Sequence, residues 1–204
     1  MAVTLSTSLE PRSREILLLT AASAIEARLA RTAASPPPAA GLPAELLAER
    51  ATFVTLTIED QLRGCCGTLE PRRALALDVW HNAQVSAFND PRFPPLALLE
   101  WAHVDLEISV LSPLERMEVH SESELLLQVA PGEDGLVIAW RGSRATFLPK
   151  VWDQVDDARD FVRRLKLKAG WTAGFWHPDV EVWRYRTETL SSPRPAGRHD
   201  PSCA

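Results

Sequence analysis

Two thiols stand side by side in the run Leu62-Arg63-Gly64-Cys65-Cys66-Gly67-Thr68. If the run is extended, alternation puts Arg63, Cys65 and Gly67 on one face and Leu62, Gly64 and Cys66 on the other. A guanidinium a few ångströms from Cys65 would favour its thiolate and lower its pKa below the free value of about 8.5, which is how a nucleophilic or redox cysteine is made. Gly64 and Gly67 leave room for a ligand, or for a second stretch of backbone, to come close. A packed thiol beside a bulge would use the same residues, so spacing alone leaves both readings open.

Other residues could serve the same site. Glu107 and Ser109 lie on the polar side of an alternating stretch, where Glu107 is either a general base or part of a solvated face. The loop Asp90-Pro91-Arg92-Phe93-Pro94-Pro95 is stiff enough to hold the Arg92 guanidinium at a fixed point, for an anion or for a salt bridge to Asp90 or Glu107. Asn82 and Ser86 interrupt the Leu75 and Val79 row of a helix and either cap a strand edge or reach the ligand. Arg144 offers a second positive charge or an ordinary surface residue.

The elements that must position these groups follow from periodicity. Ile16, Leu19, Ala22, Ile25 and Leu29 predict a helix over about residues 13–30. Pro36-Pro37-Pro38 then forces an exposed connector before a short turn at 44–49. Val54, Leu56 and Ile58 alternate with Phe53, Thr55 and Thr57, and the chain returns through Glu59-Asp60-Gln61 as a hairpin whose second strand holds the cysteines. A helix over about 72–88, a strand over 104–110 and a short helix capped by Ser121 with Glu124 come next. A second hairpin turns at Arg141-Gly142-Ser143, a helix over 155–168 ends at Gly170, and a last strand covers 180–185. This irregular interleaving predicts an α+β fold with a mixed, largely antiparallel sheet and flanking helices. Residues 1–12 read as a flexible N-terminus, 13–188 as one domain and 189–204 as a disordered tail.

Composition narrows the function. The 204 residues have ample apolar material for a core, and a net charge of −5 with a pI near 5.6 disfavours general nucleic-acid binding. No stretch approaches the roughly 20 apolar residues of a membrane span, and the first residues lack the apolar core of a secretion signal, so a cytoplasmic protein is expected. The three cysteines form neither an even disulfide set nor a Cys-x-x-Cys pair. Adjacent cysteines also sit too close to bridge, at about 3.8 Å between Cα atoms against the roughly 4.4 Å a disulfide needs. The histidines are scattered without ligand spacing, so no structural metal is expected, and nothing names a cofactor. Seven tryptophans are spread along the chain and read mostly as packing residues with no stacking cluster.

The cysteine run resembles the Leu-Arg-Gly-Cys-Ile-Gly-Thr signature of the AMMECR domain family, known in microbes as AmmeMemoRadiSam system protein A. Asp90 to Leu96, Glu107 to Pro113, Gly135-Leu136, Phe147-Leu148-Pro149 and Lys168-Ala169-Gly170 resemble further family motifs in the expected order. The resemblance spans about residues 13–188. It implies a main lobe plus a smaller lobe around a cleft to which the cysteine signature contributes. It also implies a pathway shared with a Memo-like protein and a radical SAM enzyme, and it supplies no assigned reaction. On this reading Cys65, Arg63 and Glu107 carry the chemistry, while Gly64, Gly67, Asn82, Asp90, Arg92, Ser109 and Arg144 bind a small or anionic ligand. The alternative is a non-catalytic module that docks one of those two partners through Phe93, Pro94, Pro95, Leu96 and Leu98. Two departures bear on the mechanism. Cys66 stands where the family has Ile, which points its side chain at a core, and Glu133-Asp134 replaces a basic residue followed by His.

Overall fold

A computed structural model describes residues 8–33 and 35–192. The outer part of the expected tail, including Cys203, and the first seven residues lie outside the described residues. Two compact units emerge, one from the chain up to Leu111 together with the stretch from Glu188, the other from Ser112–Thr187.

In the first unit, helix α1 (Pro11–Leu29) starts on a proline, whose missing N–H costs nothing at a helix N-terminus. It buries Leu17, Thr20, Ala21, Ala24 and Ile25, whereas Leu19, expected inside, is 60% exposed. Four consecutive apolar residues, Ile16 to Leu19, offer two possible stripes, and the packing chose the other one. A one-turn helix, α2 (Ala44–Leu47), leads to β1 (Thr52–Ile58) and β2 (Gln61–Gly67). These two strands join through Glu59 and Asp60, both left-handed at φ 50° and 60°, the geometry of a two-residue hairpin turn. Helix α3 (Leu75–Phe88) follows, then α4 (Leu98–Trp101), β3 (Asp105–Leu111) and, from the far end of the chain, β8 (Thr187–Ser192).

The first sheet runs β2-β1-β3-β8, with β1 antiparallel to both neighbours. Its inner face, Val54, Leu56, Ile108 and Val110, is fully buried with Leu75, Val79 and Ala83 of α3 and with α1 behind it. Strand β8 corrects the expectation of a disordered tail from residue 189, because Leu190 is part of this core at 4% exposure.

The second unit contains β4 (Glu115–Met117), α5 (Glu122–Gln128), β5 (Gly135–Trp140), β6 (Ser143–Phe147), a 3-10 segment Pro149–Gln154, α6 (Ala158–Lys168) and β7 (Glu181–Tyr185). Its sheet runs β4-β7-β5-β6 with antiparallel ladders. Gly170, at φ 81°, closes α6 as Gly170 N–H donates to the Leu167 carbonyl and Trp171 N–H to that of Lys166. The fold is therefore α+β with largely antiparallel pairing and flanking helices, as expected, and its strands divide into two four-stranded sheets. The tryptophans are mostly packing residues, as expected: Trp80 and Trp152 are buried, and Trp101, Trp140, Trp171 and Trp176 pack partly buried against the core of their own unit. Trp140 and Trp171 also gather with Phe175 and His177, with Trp140–Phe175 ring centres 4.7 Å apart. No helix among the described residues is long and apolar enough to cross a membrane.

Candidate functional site

Strand β2 is the edge of the first sheet, and an uncovered edge leaves backbone N–H and C=O groups unpaired. At Cys65 this vacancy is filled by side chains. The Cys65 N–H donates to Asp90 Oδ2 at 2.9 Å, and Arg92 Nη2 donates to the Cys65 carbonyl at 3.4 Å. The two residues thus imitate one residue of a neighbouring strand. Asp90 also accepts from the Arg92 backbone N–H at 3.1 Å, from Arg92 Nε at 2.9 Å and from Nη2 at 2.6 Å. The turn that makes this possible is Asp90-Pro91-Arg92, in which a short carboxylate folds back on the N–H two residues on. The Arg92 hydrogen bonds, aided by the Cys65 N–H, hold the buried Asp90 carboxyl far below the usual carboxylate range.

With its own backbone groups turned to Asp90 and Arg92, Cys65 faces Thr55 of β1 as a pair without mutual backbone bonds, the closer kind of cross-strand pair. Thr55 Oγ1 accordingly donates to Cys65 Sγ at 3.4 Å. Across the sheet the row continues from Thr55 to Glu107 of β3, and the next row joins Gly67, Phe53 and Ser109. Cys65, Thr55, Glu107 and Ser109 therefore share one face, opposite the one that packs on α3. Thr55 was not singled out from the sequence. Its signal was present in the polar alternation of β1, but only the register shows which cysteine it meets.

Arg63 is placed differently from the alternation argument. The β1–β2 ladder pairs Leu62 with Thr57 and Gly64 with Leu56, so Arg63 is an extra, unpaired residue at a β-bulge. The bulge hands the Cys65 face to Leu62 and turns Arg63 away. Its guanidinium instead forms a two-point pair with Glu100 of α4, Nε to Oε1 at 2.7 Å and Nη2 to Oε2 at 2.9 Å. Hydrogen bonding raises Arg63 and lowers Glu100 from their ordinary values, and the third nitrogen, Arg63 Nη1, is buried with no hydrogen-bond partner among the described residues. The cation beside Cys65 is Arg92, which itself feels the thiol.

The remaining candidates have other duties. A Cβ on Gly64 would lie 2.2 Å from the Ser86 carbonyl oxygen of α3, so its bare Cα admits backbone rather than ligand. Gly67 likewise lets the Phe53 ring lie over it, with the nearest ring carbon 2.4 Å from a Cβ position. Asn82 is buried on the α3 side, where Nδ2 donates to the Thr52 carbonyl, to Thr52 Oγ1 and to Asp78 Oδ2, and Ser86 Oγ donates to the Val54 carbonyl at 2.7 Å. Both side chains tie α3 to the back of β1 and do not reach the Cys65 face. Arg144 belongs to the second unit, on β6, with its guanidinium 5.9 Å from the Trp183 ring centre.

Cys66 pairs with Val54 on the core face, and burial, reinforced by Cys65 and nearby carboxylates, pushes its thiol up. Asp134, at the position of the family His, is 1% exposed and accepts the Ala130 N–H at 2.9 Å, so here that position closes a turn. Among the described residues no group of three or more His, Cys, Asp or Glu is arranged to hold a metal ion.

An α+β fold in two units with a cysteine-bearing, side-chain-sealed edge strand is the class that geometry defines. Residues 18–190 match the AMMECR1 family, and the chain belongs to it. It is 36% identical over 150 residues to a protein of Methanothermobacter thermautotrophicus, covering 72% of this chain and 78% of that one. A Thermotoga maritima protein is 36% identical over 154 residues, covering 74% and 83% of the two chains. The crystal structure of the uncharacterized protein PH0010 from Pyrococcus horikoshii superposes with a TM-score of 0.84 at 30% identity, over 93% of this chain and 96% of that one.

Proposed function

We propose that Cys65 is a reactive thiol at a small-ligand site, and that the chain works as an enzyme or enzyme component in a cytoplasmic pathway with a Memo-like protein and a radical SAM enzyme. The observation that carries this reading is the hydrogen bond from Thr55 Oγ1 to Cys65 Sγ, on a strand position whose backbone is fixed by Asp90 and Arg92. A hydroxyl donor favours the thiolate over the thiol, and the Asp90–Arg92 pair fixes the strand that presents the sulfur. Cys65 acts as nucleophile or redox thiol, Arg92 stands beside it where Arg63 was expected, and Glu107, one strand beyond Thr55, handles protons. The test is alkylation of Cys65 as pH is varied, in a Cys66→Ile background, with each modified peptide followed by mass spectrometry and Cys203 as reference. Cys65 is expected to react well below the pH at which Cys203 does; a thiol inert until unfolding overturns the reading.

A second reading has its own observation. Leu98 and Leu99 are 65% and 82% exposed beside Pro94 and Pro95, while Leu96, once counted with them, is buried. That apolar surface would suit docking of a Memo-like or radical SAM partner. Co-elution of the purified chain with either protein, abolished by Leu99→Asp, supports docking; no co-elution at micromolar concentrations removes it.

A further inference from the structure

The reading of Cys65 as a reactive thiol leaves open what chemical class of ligand meets it, and the arginines decide that question. An anion such as a carboxylate or phosphate is held best by two parallel N–H groups of one guanidinium fork. Neither arginine near β2 has its fork to give. Arg92 directs Nε and Nη2 at Asp90 and also aims Nη2 at the Cys65 carbonyl, which leaves Nη1 as its uncommitted nitrogen among the described residues. Arg63 directs Nε and Nη2 at Glu100, and its Nη1 is buried. Each positive charge is thus matched at hydrogen-bond distance by a carboxylate. Asp90, held far below the usual range by Arg92, stays ionised under any working condition, so the pair beside Cys65 does not become a free cation.

We infer that the group presented to Cys65 is uncharged, a carbonyl or amide-type function that accepts a single hydrogen bond from Arg92, and not a carboxylate or phosphate. This rests on the reactive-thiol reading but makes a separate claim. A guanidinium with a carboxylate on one side exerts little net pull on an anion, yet still polarises a neutral oxygen. The sequence, seen without its pairings, suggests the opposite, because Arg63 and Arg92 both look like anion ligands.

Iodoacetamide and iodoacetate test it, since they differ only in an amide against a carboxylate and both transfer a two-carbon group to the thiolate with loss of iodide. The rate ratio of the two at Cys65 in the full chain is compared with that at an uncharged free thiol, N-acetylcysteine amide. The expected ratio favours iodoacetamide at least as much as the free thiol does. Asp90→Asn, which releases the Arg92 charge, shifts the ratio toward iodoacetate by about threefold or more, the size of one unscreened charge a few ångströms away. If that variant does not fold, the double variant Asp90→Asn with Arg92→Gln serves, because it removes both charges at once: the ratio is expected to stay put, and a fall of about threefold in relative iodoacetate reactivity overturns the inference. A wild-type preference for iodoacetate over the free-thiol value also overturns it, while leaving the reactive-thiol reading intact. Slow reaction with both reagents at an unchanged ratio supports the inference and counts against that reading instead.

Discussion

The Thr55 hydroxyl lies 3.4 Å from Cys65 Sγ, across the closely spaced kind of cross-strand pair. A hydrogen bond from a hydroxyl to the attacking sulfur is worth on the order of 1 kcal/mol, or about fivefold in rate. Thr55→Val keeps the shape and removes the donor, so Cys65 alkylation at neutral pH should slow by about that factor. Thr55→Ser should retain most of the rate. Equal slowing in both variants would mean that packing, not the hydroxyl, sets the reactivity.

Asp90 should be a stability residue as well as a site residue. It is 6% exposed and carries the Cys65 N–H and the Arg92 guanidinium, so replacing it strands both. Because Arg92 is half exposed, the loss for Asp90→Asn should be about 2 kcal/mol, below that of a fully buried pair. The sign with pH follows from its depressed pKa. Its stabilisation is complete above the ordinary carboxyl value of 3.8 and is lost as pH falls from there toward the folded-state value. Urea unfolding of wild type and variant should therefore differ by a constant amount between about pH 8 and about pH 5, and converge below about pH 4. A gap that persists unchanged in acid would mean that Asp90 acts through packing alone.

The elements that announce themselves by period were legible in the sequence, and so was the strand holding the cysteines. What alternation could not supply was register. One extra residue at Arg63 turns that side chain to Glu100 and makes Leu62 the neighbour of Cys65. A bulge of this kind leaves no mark in hydrophobic pattern, because Arg63 and Gly64 have no apolar side chain to show the break. The salt bridge from Arg92 to Asp90 was legible as one of two alternatives, since an aspartate two residues before an arginine across a proline can hardly avoid it. Thr55 and Glu100 were not, because their meaning depends on long-range partners.

Gly64 gives a sharper test of the strand's packing. An added Cβ would meet the Ser86 carbonyl oxygen at 2.2 Å, and a backbone atom cannot swing aside as a flexible side chain can. Gly64→Ala should force α3 away from β2 and cost about 3 kcal/mol or more. Gly174→Ala, where nothing lies within 4 Å of the added atom, serves as the control and should stay within about 0.5 kcal/mol of wild type. Chemical denaturation of the two variants reads this directly, and a mild effect at Gly64 would mean that the helix lies farther from the strand than described.

The last strand makes the remaining prediction, and it concerns a segment whose sequence gives little warning. Thr187-Glu188-Thr189-Leu190-Ser191-Ser192 has a single large apolar residue, so its strand character rests on threonine propensity and on the open edge of β3 that it covers. Leu190 nonetheless enters the first unit's core at 4% exposure, and Glu188 accepts the Leu9 N–H at 2.9 Å and pairs with Arg14 at 2.8 Å. Leu190→Ala should then cost about 2–3 kcal/mol, as large-to-small changes in packed cores do. Hydrogen exchange should show the loss concentrated in α1 and β3, the elements that β8 fastens together. A tail that merely follows the domain would show neither effect, and the same variant would then leave both unfolding and exchange unchanged.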